Sequence, residues 1–98
     1  MTAETQANEL AKALADEKAI DVRVYDVRGK SELADFFVVA TGAAAPHLKA
    51  LVRALPKSYR VSGDPESGWI VSDYFDVVVH VFSAEARAYY ALEKLWAQ

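Results

Sequence analysis

The chain has no cysteine, which excludes disulfides, thiolate metal sites and a cysteine nucleophile, while saying little about compartment. Glycine and proline are sparse, 4 and 3 in 98 residues, and no linker, repeat or low-complexity tract breaks the chain. No stretch approaches the roughly 18 uninterrupted apolar residues of a membrane span. Basic charge is not in excess either: 11 Lys and Arg stand against 14 Asp and Glu, a net charge of −3. That balance argues against a broad basic face that neutralises phosphates, so little direct nucleic-acid contact is expected. The first nine residues are polar and acidic, unlike a secretory signal or a transit peptide, and the expected compartment is the cytoplasm.

With 53% hydrophobic and 26% charged residues, the composition is that of an ordinary globular domain. A single domain over residues 1–98 buries roughly 60–65% of its unfolded surface without a metal or disulfide staple. Leu10, Ala11, Leu14 and Ala15 recur at helical spacing and predict a helix from about Glu4 to Lys18. That helix is thinly apolar, so it is expected on the flank of the domain. Ile20, Val22 and Val24 alternate with polar residues, the pattern of a strand with one wet face. Phe36 to Thr41 is apolar on both parities and suits a strand covered on both sides.

Pro46 opens a helix carrying the stripe Leu48, Leu51, Val52, Leu55, and Pro56 ends it. Tyr59 to Ser62 is a short strand candidate, and Gly63 to Gly68 reads as a turn. Trp69–Asp73 and Asp76–Phe82 form an antiparallel hairpin around Tyr74 and Phe75. Ser83 caps a last helix whose apolar stripe is Tyr89, Leu92 and Trp96. The order α-β-β-α-β-β-β-α predicts an α/β single domain, a mixed β-sheet with packed helices.

Catalytic chemistry has little support. Thr41-Gly42-Ala43-Ala44-Ala45 is a strand-to-helix turn of the kind that presents amides to phosphate. A metal-dependent nucleotidyltransferase would also need hydroxyls after the glycine and closely spaced carboxylates to hold the metal. Neither is present, no Asp-x-Asp pair occurs, and no metal or other cofactor is expected. His47 and His80 lack partners at helical spacing. His80 reads as a hydrogen-bonded, partly buried strand residue, and His47 as solvated or beside a helix cap.

The turn Asp73-Tyr74-Phe75-Asp76 is different, because two aromatics between two aspartates at a hairpin tip cannot all be buried. Strand parity puts Trp69, Val71 and Asp73 on one face. Aromatics rimmed by charge are common anchors of protein interfaces. The expected function is therefore binding, not catalysis, with Trp69, Asp73, Tyr74, Phe75 and Asp76 as the partner-contacting set. A small dimeric adaptor unrelated to translation would fit the same features.

Several ordered motifs carry a resemblance. Asp26-Val27-Arg28-Gly29 is followed by Ser31-Glu32-Leu33-Ala34-Asp35-Phe36-Phe37 and by Ala40-Thr41-Gly42. Trp69, Asp73, Asp76, Val77, Val79, His80 and Phe82 then lead to Arg87, Tyr90, Leu92, Glu93, Leu95 and Trp96. This series resembles the Iojap family, the ribosomal silencing factors. The resemblance implies a fold like a catalytically inactive nucleotidyltransferase, a homodimer when isolated, and binding to large-subunit ribosomal protein L-fourteen. It further implies steric block of subunit joining, repression of translation, and a part in large-subunit maturation. Three departures stand out. Ala44 and Ala45 replace the family's usual serines and remove a helix cap. The segment before Trp69 is short, and Phe75 occupies a position where many members have glycine.

Overall fold

A computed structural model describes residues 2–96. Helix α1 (Ala3–Asp16) leads into strands β1 (Ile20–Asp26) and β2 (Phe36–Gly42), then helix α2 (Ala45–Ala54). Strands β3 (Arg60–Asp64), β4 (Trp69–Asp73) and β5 (Val77–Ser83) follow, and helices α3 (Ala84–Tyr90) and α4 (Glu93–Trp96) close the chain. The five strands form one mixed sheet in the order β1-β2-β5-β4-β3. Only β2 and β5 run parallel, in register from Phe36 opposite Val77 to Gly42 opposite Ser83. The other neighbours are antiparallel. β2 is buried at every position, as expected for an interior strand apolar on both parities.

Alternation along the strands sorts the two faces. Phe36, Val38, Ala40, Val77, Val79 and Val81 face α1 and α2 and share one core with Leu10, Leu14, Leu48 and Leu51. Phe37, Val39 and Phe82 point the other way, under α3 and α4. α1 is not peripheral, contrary to the reading of its thin apolar stripe. Ala7 and Leu14 are fully buried and Leu10 nearly so, because alanine lets the helix approach β1 and β2 closely. Thr2 caps it by accepting from the Thr5 N–H at 3.1 Å.

The last helix is also not continuous. Ala91 takes a left-handed conformation, φ 49°, which folds the short α4 back over the sheet. Trp96 then packs on Phe37 at 4.4 Å between ring centroids. A polar clamp holds this reversal. Arg87, with 11% of its side chain exposed, donates to both carboxylate oxygens of Glu93. It also donates to Thr41 Oγ1 and the Asp21 carbonyl at 2.8 Å, and the Tyr25 hydroxyl donates to Glu93. Tyr89, expected in the apolar stripe, is instead 82% exposed, and Ala86 is the α3 residue that reaches the core.

β3 extends two residues beyond its expected end and lies exposed along its whole length at the sheet edge. Asp64 shortens the following turn by accepting from the Glu66 N–H at 2.7 Å, and Gly68 turns the chain with φ 81°. Among the described residues, no helix is long and apolar enough to cross a membrane.

Candidate protein-binding surface

The β4–β5 hairpin tip is built by its own backbone. The Tyr74 N–H donates to the Val77 carbonyl at 2.8 Å. Asp73 Oδ1 accepts from the Phe75 N–H at 2.8 Å, an Asx-type turn. The Asp76 carbonyl accepts from the Asp35 and Phe36 N–H groups, tying the tip to the start of β2. Asp73 thus has a structural task, and its other oxygen lies 4.0 Å from Arg60 Nη2. Asp76 stands exposed.

The two tip aromatics part company. Tyr74 turns inward, packs against the main core and donates its hydroxyl to the Pro56 carbonyl; burial raises its pKa above the usual tyrosine value. Phe75 turns outward, 61% exposed, at φ 68°. That is a conformation favoured by glycine, and Phe75 is held there against Tyr59, 4.3 Å away between ring centroids.

Trp69 sits half-buried on the same face as Val71 and Asp73. Its ring stacks on Phe82 at 5.1 Å and leans on Tyr90 at 4.8 Å. Its indole N–H donates to His80 Nδ1 at 3.2 Å. An accepting Nδ1 puts the proton of the neutral imidazole on Nε2. Burial pushes the His80 pKa down to about 4, so the ring is neutral at physiological pH. Phe37 and Trp96 flank it, each 5.2 Å away between centroids. His47 sits beside the α2 cap: Nδ1 accepts from the Ala43 N–H, and Nε2 reaches the Glu17 carbonyl, both at 2.9 Å.

The five residues singled out from the sequence therefore lie along one hairpin, in different settings. Phe75 and Asp76 are presented outward, Asp73 is shared between turn and surface, Trp69 is packed at the margin, and Tyr74 is an inward strut. Sequence reasoning missed the open groove on the same sheet face between β4 and α4, which Phe37, Val71, Val78, His80, Leu95 and Trp96 help to line. Its one legible signal was the shared parity of Val71 with Trp69.

A second hollow lies beside Ala43, Ala44, Ser67 and Ser83. Its helix, α2, has no side-chain cap, in keeping with the alanines there. The acidic residues lining it are Glu66 and Glu85. Among the described residues, no group of three or more His, Asp or Glu side chains could hold a metal ion.

Residues 1–98 match the family model for the ribosomal silencing factor during starvation, RsfS. The chain is 38% identical over 104 residues to the ribosomal silencing factor RsfS of Treponema pallidum, covering 98% of this chain and 94% of that protein. It is 35% identical to the Bacillus subtilis RsfS, over 88% of this chain and 80% of the relative. A crystal structure of a Chromobacterium violaceum protein superposes with a TM-score of 0.88 at 30% identity, covering 99% of this chain and 88% of the other. A Bacillus halodurans crystal structure gives 0.78 at 35% identity, covering 94% of each chain. The motif series running from Asp26 to Trp96 and the matching fold agree, and the chain belongs to the RsfS family of ribosomal silencing factors.

Proposed function

We propose that this protein binds the large ribosomal subunit through ribosomal protein L-fourteen, and that its body there sterically blocks joining of the small subunit and represses translation. No chemical step is involved; occupancy is the mechanism, and the compartment is the cytoplasm. The observation that carries this reading is the β4–β5 tip, where an exposed phenylalanine and an exposed aspartate project together from a rigid hairpin. Ribosomal proteins are generally basic, so Asp76 and the outer part of Asp73 supply complementary charge, and Phe75 and Trp69 supply the apolar centre. Tyr74 contributes by bracing the tip against Pro56. The isolated protein is proposed to be a homodimer, as the family resemblance implies.

The test is Asp76→Lys, assayed by pelleting with isolated large subunits. Because Asp76 takes part in the fold through its backbone, charge reversal should leave the melting temperature within about 2 °C, a surface-substitution effect. Binding should fall at least about tenfold. Asp73→Lys is a less clean probe, since it also removes the hydrogen bond that shapes the turn. Unchanged pelleting of Asp76→Lys moves the site away from this tip.

A further inference from the structure

The net charge of −3 conceals a segregation. Residues 36–63 carry four cationic side chains, Lys49, Arg53, Lys57 and Arg60, and no Asp or Glu, while the rest of the chain has seven cations against fourteen carboxylates. The fold draws three of the four around one hollow of about 350 Å³, where α2 ends and β3 begins. Arg53, Lys57 and Arg60 line it with Ser58, Tyr59 and Tyr74, and no carboxylate stands in its wall. Lys49 precedes Arg53 by four residues of α2, roughly 6 Å along the axis and on the same helix face. All four cations are exposed.

Folding alone does not account for this row. Among the described residues the side chains of Lys49, Arg53 and Lys57 form no ion pair, and Arg60 has only the 4.0 Å approach to Asp73. The dipole at the end of α2 favours Arg53, whereas Lys49 and Arg53 repel each other at their spacing. Unneutralised like charges gathered on one face form the electrostatic footprint of a polyanion site. The charge of the whole chain, which argues against a broad basic face, averages over this local one.

We propose that this hollow, and the row of cations leading to it, receive the phosphodiester backbone of RNA on the large subunit, with an unstacked base meeting the exposed ring of Tyr59. The inference rests on the docking reading above and deepens it. The hollow adjoins the hairpin tip, since Tyr74 lines it and the Tyr59 ring lies 4.3 Å from that of Phe75. A basic ribosomal protein that meets Asp76 cannot neutralise the cations beside it; the RNA of the same particle can. Spaced along a line, these side chains suit a polymer whose charges recur, while a single phosphate calls for convergent donors. Tyr59, 65% exposed, adds the flat ring on which RNA bases stack, a feature that an acidic peptide does not need.

The experiment measures pelleting with isolated large subunits across a salt series, and thermal melting, for the wild type, the double variant Arg53→Gln with Lys57→Gln, and Arg23→Gln. Arg23→Gln makes the same kind of charge change on β1, at the opposite edge of the sheet. The substituted residues are exposed, so all variants should melt like the wild type. The double variant should bind about tenfold more weakly, and its log affinity should fall less steeply with log salt, by about 1.5 in slope, the counterions of two phosphate contacts. Arg23→Gln should keep the wild-type slope. Ultraviolet cross-linking of the bound wild type should join Tyr59 or its neighbours to RNA. A double variant with the wild-type slope, or one weakened no more than Arg23→Gln, would overturn the proposal. Cross-links from residues 53–60 to ribosomal protein and none to RNA would overturn it too, and assign the hollow to an acidic protein segment. If Asp76→Lys abolishes pelleting while the double variant pellets like the wild type, the docking reading survives and the RNA contact does not. A wild type that fails to pellet would overturn both.

Discussion

Phe75 offers a test in which strain and packing pull in opposite directions. Its φ of 68° costs a bulky L-residue about 1–2 kcal/mol relative to glycine. Its ring lies 4.3 Å from that of Tyr59, inclined at 41°, and such an aromatic pair returns about 0.5–1.5 kcal/mol. The Asp73 bond to the Phe75 N–H is a backbone contact that both truncations keep. Phe75→Ala loses the ring contact and keeps most of the strain, so it should be destabilised by about 1 kcal/mol. Phe75→Gly loses the same contact but sheds the strain, so its stability should lie close to the wild type. The glycine variant should therefore exceed the alanine variant by about 1 kcal/mol, some 4–8 °C in melting temperature for a domain of this size. Parallel thermal and urea unfolding of the three proteins measures this. An alanine variant as stable as the glycine variant would refute the strain argument. In the pelleting assay the two should weaken equally, since each removes the same exposed ring.

Other consequences follow from the buried polar groups. Arg87→Ala removes the hub joining Glu93, Thr41 and the Asp21 carbonyl and leaves a partly buried carboxylate behind. It should lower urea-unfolding stability by about 3 kcal/mol and loosen α4, read as lost hydrogen-exchange protection there. His80 has a folded pKa of about 4, below its ordinary value near 6.5, so the unfolded chain takes up the proton first as pH falls. Stability is therefore full above about pH 6.5 and declines toward pH 4, by about 2–3 kcal/mol between pH 7.5 and 4.5. The Arg87 guanidinium holds the Glu93 pKa below the usual glutamate value, which adds a further loss at lower pH, once that carboxylate protonates. Unfolding at a series of pH values, with the His80 titration followed by NMR, checks the sign; a His80 titrating near 6.5 contradicts it.

Much of the fold follows from periodicity alone. β2 reads as an interior strand because both of its parities are apolar, and the β4–β5 hairpin is visible because two β-rich runs flank a polar-aromatic turn. Other features carry no local signal. α1 looks peripheral on paper because Ala7 contributes little hydrophobicity, yet its small size is what lets the helix sit close to the sheet. The reversal at Ala91 has no glycine to announce it; it is imposed by Arg87 and Glu93 meeting and by Trp96 packing on Phe37. At the tip, sequence places Tyr74 and Phe75 together but does not say which turns inward, since that depends on the Pro56 carbonyl being within reach. The groove is less legible still. Phe37, Val71 and Val78 in its walls are brought together by the strand order, and Leu95 by the reversal at Ala91.

The most direct test of the central claim is sedimentation of the purified protein with isolated large subunits and, separately, with assembled ribosomes. Steric occlusion predicts that the protein travels with free large subunits, is absent from intact ribosomes, and lowers the yield of joined ribosomes when small subunits are added. Equal occupancy of large subunits and assembled ribosomes, with joining undiminished, would contradict it.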